Sequence, residues 1–132
     1  MNKDEVFLYV NKKIYSGWKE VSITRSLEAM AGSFSLSVVE SKIDDNFEIF
    51  CGDEAVVKIG EDAVITGYID DYHPSFDKNS HSIAITGRDK TADLIDCSAV
   101  FKTGQWNNQN ILKIAKDLCG PFDIEVKTDL KK

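Results

Sequence analysis

The sequence has no hydrophobic run approaching the roughly 20 residues that a bilayer-spanning helix needs. Its apolar stretches are short, as at Ala55 to Val57 and Ala63 to Ile65. A membrane span is excluded. The three cysteines, Cys51, Cys97 and Cys119, form no Cys-x-x-Cys pair, and the N-terminus Met1-Asn2-Lys3-Asp4-Glu5 lacks the basic and apolar regions of a secretory signal. This reads as a reduced, cytosolic chain. There are only two prolines, no internal repeat and no low-complexity tract. No Gly-rich phosphate loop or Gly-x-Ser-x-Gly elbow occurs. Basic residues are outnumbered: 16 Lys plus Arg against 22 Asp plus Glu leave a net charge of −6, with the cations scattered rather than striped. Such a chain has no long-range attraction for a polyphosphate backbone, so specific nucleic-acid binding is not expected.

What is present is an ordinary globular composition. Its 132 residues, 42% hydrophobic and 29% charged, suit one domain able to bury about two thirds of its unfolded surface. The N-terminal two thirds alternate with period two, the signature of half-buried strands. Val6, Leu8 and Val10 share one face of a first strand; Val21 and Ile23 oppose the hydroxyls of Ser22, Thr24 and Ser26; Phe34, Leu36 and Val38 point inward from a third strand. The break at residues 29–32 makes the last two a hairpin. Residues 40–53, with Asp44, Asp45 and Glu48, read as an acidic surface loop before a strand at 54–59. A long strand from Ala63 to His73 is expected to stop at Pro74, with a loop at 75–80 and a return strand from Ser82 to Thr86.

After Gly87 the period changes. Asp89 or Thr91 can cap a short helix ending near Ile95. A second helix starts near Asn108 or Asn110, places Ile111, Ile114, Ala115 and Leu118 on one face, and stops at Gly120-Pro121. That face is expected to pack on the sheet. Asp123 to Thr128 alternates again and predicts a last strand. The expectation is a β-rich α+β domain, a small antiparallel barrel or sandwich with one or two short helices, spanning residues 1–132 as a single unit.

Candidate chemistry is sparse. Asp70, Asp71, Asp89, Asp93 and Asp96 include enough carboxylates for an acid and base pair about 5 to 10 Å apart in a lytic glycosidase. However, Asp70 and Asp71 are neighbours on a strand, pointing to opposite faces, and Asp89 and Asp93 sit where a helix start favours negative charge. His73 and His81 flank a hairpin and, with Asp77, fall short of the three or four spaced ligands of a zinc site. Residues 44–54 lack the spacing of a calcium loop. The cysteines lack an oriented histidine base. Trp18 and Trp106 each follow a glycine-containing turn, as loop anchors or partner contacts. Nothing here asks for catalysis, a metal or a cofactor.

Three segments carry a resemblance: Tyr15 to Phe34 (YSGWKEVSITRSLEAMAGSF), Thr66 to Asp70 (TGYID), and above all Thr86 to Cys97 (TGRDKTADLIDC) followed by Gly104-Gln105-Trp106. Together they resemble the N-terminal part of the Mu-like bacteriophage tail baseplate hub proteins, over about Phe7 to Val126. The resemblance implies a non-enzymatic structural part of a contractile phage or prophage tail. It implies a homotrimer in the full-length protein, forming a ring between tail tube and spike and touching other baseplate proteins. It also implies a virion location, with host cytoplasm during assembly, and further domains beyond residue 132. Within that frame Trp18, Arg25, Arg88, Asp89 and Trp106 are the candidate interface or structural residues. Arg25, Arg88 and Asp89 are expected to form ion pairs that lock strand to helix or subunit to subunit, with Asp89 alternatively a cap. The acidic balance would also keep passing DNA from sticking to a channel wall. The rival readings are a tail-associated murein hydrolase and a carbohydrate-binding or adaptor module.

Overall fold

The computed structural model describes residues 4–39, 47–78, 80–99 and 101–129. Seven strands precede two helices: β1 (Val6–Val10), β2 (Lys13–Tyr15), β3 (Glu20–Thr24), β4 (Ser33–Val39), β5 (Glu54–Ile59), β6 (Asp62–Asp77), β7 (Ser80–Asp89), α1 (Ala92–Asp96) and α2 (Ile111–Cys119). All strands join one antiparallel sheet in the order β2-β1-β5-β6-β7-β4-β3. The period-two pattern decides which face is buried. Leu8, Leu36, Val57 and Ile85 are fully buried, and Val10, Phe34, Ala55, Ile65 and Ile69 nearly so. They form one contiguous cluster running from β1 to β4, strands separated in the sheet by three others. No residue of α1 or α2 belongs to that cluster or packs against it. The sheet therefore covers its apolar face chiefly by curling into a half-barrel, helped by Trp18, Phe47 and Ile49 from its connections.

Four expectations are corrected by this arrangement. β6 does not stop at Pro74 but continues to Asp77, with Pro74 opposite Ile83. The reason is positional: β5 leaves β6 at Tyr68, so beyond that point β6 is paired only with β7 and a missing N–H faces no neighbour. The hairpin is correspondingly tight, closing at the Asp77–Ser80 pair rather than over 75–80. Within the expected acidic loop, residues 40–46 lie outside the described residues. Phe47 and Ile49 are not loop surface: Ile49 is buried, and Phe47 stacks edge-on to Tyr15 and against Tyr72.

The third correction concerns α2. Asn110 caps it as expected, its side chain accepting from the Lys113 N–H at 2.8 Å. Its apolar face, however, does not join the sheet core: Ala115, Leu118 and Cys119 line a cleft that Leu94 of α1 and Met30 also line, and Ile111 is 76% exposed. Fourth, the alternating segment from Asp123 onward is no strand. Asp123 takes a left-handed conformation (φ 54°) after a 3₁₀ turn at Gly120–Phe122, and residues 124–129 have no ladder partner among the described residues. Alternation specifies two faces, but a strand also needs a neighbour to bond.

Candidate functional site

The two Thr-Gly steps, Thr66-Gly67 and Thr86-Gly87, lie side by side on β6 and β7, where Gly67 pairs with Asp89 and Gly87 with Ile69. Neither glycine is a turn. A Cβ on Gly67 would lie 2.0 Å from the Arg88 carbonyl oxygen, and one on Gly87 2.3 Å from the Tyr68 carbonyl oxygen and 2.5 Å from the Phe34 ring. Their function is close approach of two backbones. The register slips between Ile69 and Asp71, leaving Asp70 as the extra residue of a bulge. A bulge re-aims its side chain, and Asp70 turns to the Arg88 guanidinium.

Arg88 is the centre of this junction. Its Nε donates to Asp70 Oδ2 at 2.7 Å and its Nη2 to Asp70 Oδ1 at 3.2 Å. Nη2 also reaches Asp96 Oδ2 at 2.7 Å, and Nη1 reaches Asp96 Oδ1 at 3.3 Å. One planar fork thus grips two carboxylates, one from the β6 bulge and one from the last turn of α1. The hydrogen bonds to Asp70 and then to Asp96 raise the guanidinium further above its already high value. In return, the bond from Arg88 holds the Asp96 carboxyl below the usual carboxylate range.

Asp89 uses its carboxylate differently. Oδ2 accepts the Gly32 N–H at 2.7 Å, and Oδ1 accepts the Thr91 N–H at 3.0 Å and is in hydrogen-bond contact with the Thr91 hydroxyl. The single proton of that hydroxyl is shared with the Met30 carbonyl oxygen, 2.6 Å away. Asp89 and Thr91 therefore tie the start of α1 to the β3–β4 connection. Asp89 makes no ion pair among the described residues, and neither does Arg25, which lies against Gly32 with its aliphatic stem. Within this chain and among the described residues, Arg88 alone of these three makes an ion pair.

The tryptophans occupy different settings. Trp18 packs on the sheet core, and its indole Nε1 is buried without an acceptor among the described residues. Trp106 stacks on Phe101 with centroids 4.2 Å apart, and its Nε1 donates to Asp117 Oδ2 at 3.2 Å. Lys113 holds the other Asp117 oxygen at 2.6 Å. These bonds, from Lys113 first and Trp106 second, hold the Asp117 carboxyl below its ordinary value. Of the histidines, His73 contacts Asp71 at 3.0 Å, and His81 meets the Phe76 ring. The register sets His73 opposite Ala84 and His81 opposite Phe76, so the two are not cross-strand neighbours. No group of three or more potential metal ligands forms among the described residues. No described helix is long and apolar enough to cross a membrane.

The roles of Gly67, Gly87, Asp96, Thr91 and Asp117 were missed in the sequence. The paired Thr-Gly steps were the available signal, because glycine inside a strand marks a bulge or a close backbone approach. A family model described as Mu phage baseplate assembly protein GpP-like, N-terminal, matches residues 5–89. The chain belongs to that family. A second model, baseplate hub protein gp44-like, second domain, matches residues 91–132. The boundary between the two hub-family models thus falls at Lys90, between Asp89 and Thr91. Among relatives of this hub-like chain, baseplate hub protein gp44 of Escherichia phage Mu is 42% identical over 95% of the chain and 33% of its own length. The crystal structure of the 43 kDa tail protein of prophage MuSo2 from Shewanella oneidensis matches with a TM-score of 0.87 and 41% identity, over 99% of this chain and 43% of that one. The tail protein from Neisseria meningitidis MC58 matches with a TM-score of 0.72 and 27% identity, over 88% of this chain and 33% of that one. The chain spans about a third of the curated relative's length.

Proposed function

We propose that this chain is the N-terminal part of a longer structural protein of a contractile phage or prophage tail baseplate, in which it contributes to a homotrimeric central hub ring between tail tube and spike. The observation that carries this reading is the 42% identity to the Mu baseplate hub protein across nearly the whole chain. The geometry suits a scaffold: a stiff one-faced sheet, and a side-chain clamp across the junction with the helices. Two edge strands, β2 and β3, offer main-chain donors and acceptors to neighbouring proteins. Its work is assembly and not catalysis. The carboxylates Asp70 and Asp96 are both engaged by Arg88, and Asp96 is held ionised instead of being raised into a proton donor. Trp18 and Trp106 fit anchoring roles, being turned into the core and stacked on Phe101. The virion tail is the place of action, with the host cytoplasm the site of assembly.

The experiment is sedimentation equilibrium of the chain extended by the coding sequence that follows it, together with a zymogram on peptidoglycan. A trimer with no clearing is the expected result. A monomer at all concentrations would overturn the ring, and clearing would overturn the non-catalytic reading.

A further inference from the structure

Outside the sheet core, apolar side chains of the described residues also gather between the helices. Met30, Leu94, Cys97, Ala115, Leu118 and Cys119 line a cleft of about 270 Å³ between α1, α2 and the β3–β4 connection. All but Met30 come from the stretch matched as a second hub domain, and none joins the core of the sheet. On the same two helices Ile95 and Ile111 are 56% and 76% exposed. Further along, Ile124 and Val126 are half-buried in a segment without a strand partner among the described residues. An amphipathic helix gains its stability by burying its apolar stripe against another layer. Here the stripe of α2 has one wall and no roof.

We propose that this cleft is the open half of a second hydrophobic core, and that its cover is an apolar segment of the same protein lying C-terminal to residue 132. The inference rests on the reading of the chain as part of a longer hub protein. The length is there to supply a cover: this chain accounts for 33% of the Mu hub protein and 43% of the Shewanella tail protein. A second copy of the chain suits the cleft less well. A cavity of this volume accepts a few side chains, whereas a stable interface between copies covers about 800 Å² per partner.

The cysteines provide the test. Cys97 lines the cleft and is exposed, whereas Cys51 is exposed on the turn before β5 and lines no part of it. Iodoacetamide labelling, followed by peptide mass spectrometry, reads both thiols in the 132-residue chain and in the chain extended by its downstream coding sequence. In the extended chain Cys97 is expected to alkylate at least about tenfold more slowly, as a group reached only by local opening does, with the Cys51 rate unchanged. The protection should not vary with protein concentration. Equal Cys97 rates in the two chains would overturn the proposal. So would protection of the short chain that grows with concentration, which would point to a second copy, or a gene with no coding sequence beyond Lys132. Sedimentation of the same samples keeps the two readings apart. Concentration-independent protection in a monomer would sink the ring and leave the covered cleft standing, and a trimer with a reactive Cys97 would do the reverse.

Discussion

Replacing Gly67 with alanine asks the β6–β7 pair to admit one methyl group where the backbones leave no room. An ideal Cβ there falls 2.0 Å from the Arg88 carbonyl oxygen and 2.5 Å from the Asp89 Cα, both well inside the 3.0 Å that Cβ contacts keep. Both obstacles are main chain, so no rotamer change relieves them and the strands themselves must part. Overpacking by a methylene or methyl costs about 1–3 kcal/mol, and a rigid obstacle puts this site at the upper end. Parting the strands also strains the neighbouring bond from Lys90 N–H to the Thr66 carbonyl, now 3.0 Å, for about 1 kcal/mol more. The sum is about 3–4 kcal/mol. With an unfolding entropy of about 2.1 cal/mol/K per residue, a chain of this length should lose roughly 10 to 14 °C in Tm. Thermal and urea unfolding followed by circular dichroism would measure it. Gly120→Ala is the control: its Cβ would meet nothing within 4 Å and its φ is −55°, so its Tm should hold or rise slightly as the unfolded chain loses freedom. A Gly67→Ala protein that melts with wild type would refute the close-approach account of the Thr-Gly steps.

Other consequences can be checked alongside. Leu36→Ala, at a site with no exposed surface, should cost about 2–5 kcal/mol in urea titrations. Asp89→Ala strands the N–H groups of Gly32 and Thr91 and should cost about 2 kcal/mol, with faster amide exchange at Gly32 as its local signature. Arg88→Ala should cost only about 1 kcal/mol because the clamp is partly exposed, and Arg88→Lys should fail to restore it, since an ammonium cannot make the two-pronged contacts. Asp96 and Asp117 have folded values below their unfolded ones. Their contribution is thus present above the ordinary carboxylate range and fades as pH falls through the lowered folded values. Stability profiles between pH 6 and pH 2 should therefore fall less steeply in Arg88→Ala than in wild type. Trp106 emission should shift over the same acid window as Asp117 loses its charge.

The sheet was legible in the sequence because one-sided burial writes itself as alternation: Phe34, Leu36 and Val38 on β4 are all buried, as the pattern requires. Edges defeat the same logic. At β3, Val21 is 43% exposed although it alternates correctly, because an edge strand of a curled sheet has little on either side. Pro74 is the converse case: a proline breaks a central strand, but by Pro74 β6 has become an edge that tolerates it. The three-residue β2 was too short to show a period at all. Asp70 was visible as a carboxylate, but its direction depends on a bulge, and a bulge is a property of register between two distant strands. The Asp70–Arg88–Asp96 clamp was therefore beyond any reading of spacing, although each member lay in a motif.

The junction gives each residue of the Gly87–Lys90 stretch a separate physical reason. In four consecutive residues, Gly87 to Lys90, the chain needs a residue without a side chain to let β7 approach β6 and a two-pronged cation to hold the bulge and α1. It then needs an acceptor for two separate N–H groups, and an amide on Lys90 that bonds back to Thr66. Each requirement is met by a different chemistry. None can be moved by one position, because a single step along a strand carries a side chain to the other face. A sheet position that only fills the core accepts any apolar group of similar volume, whereas these positions each accept one chemistry. They lie where the sheet hands over to the helices, at the boundary between the two hub-family models.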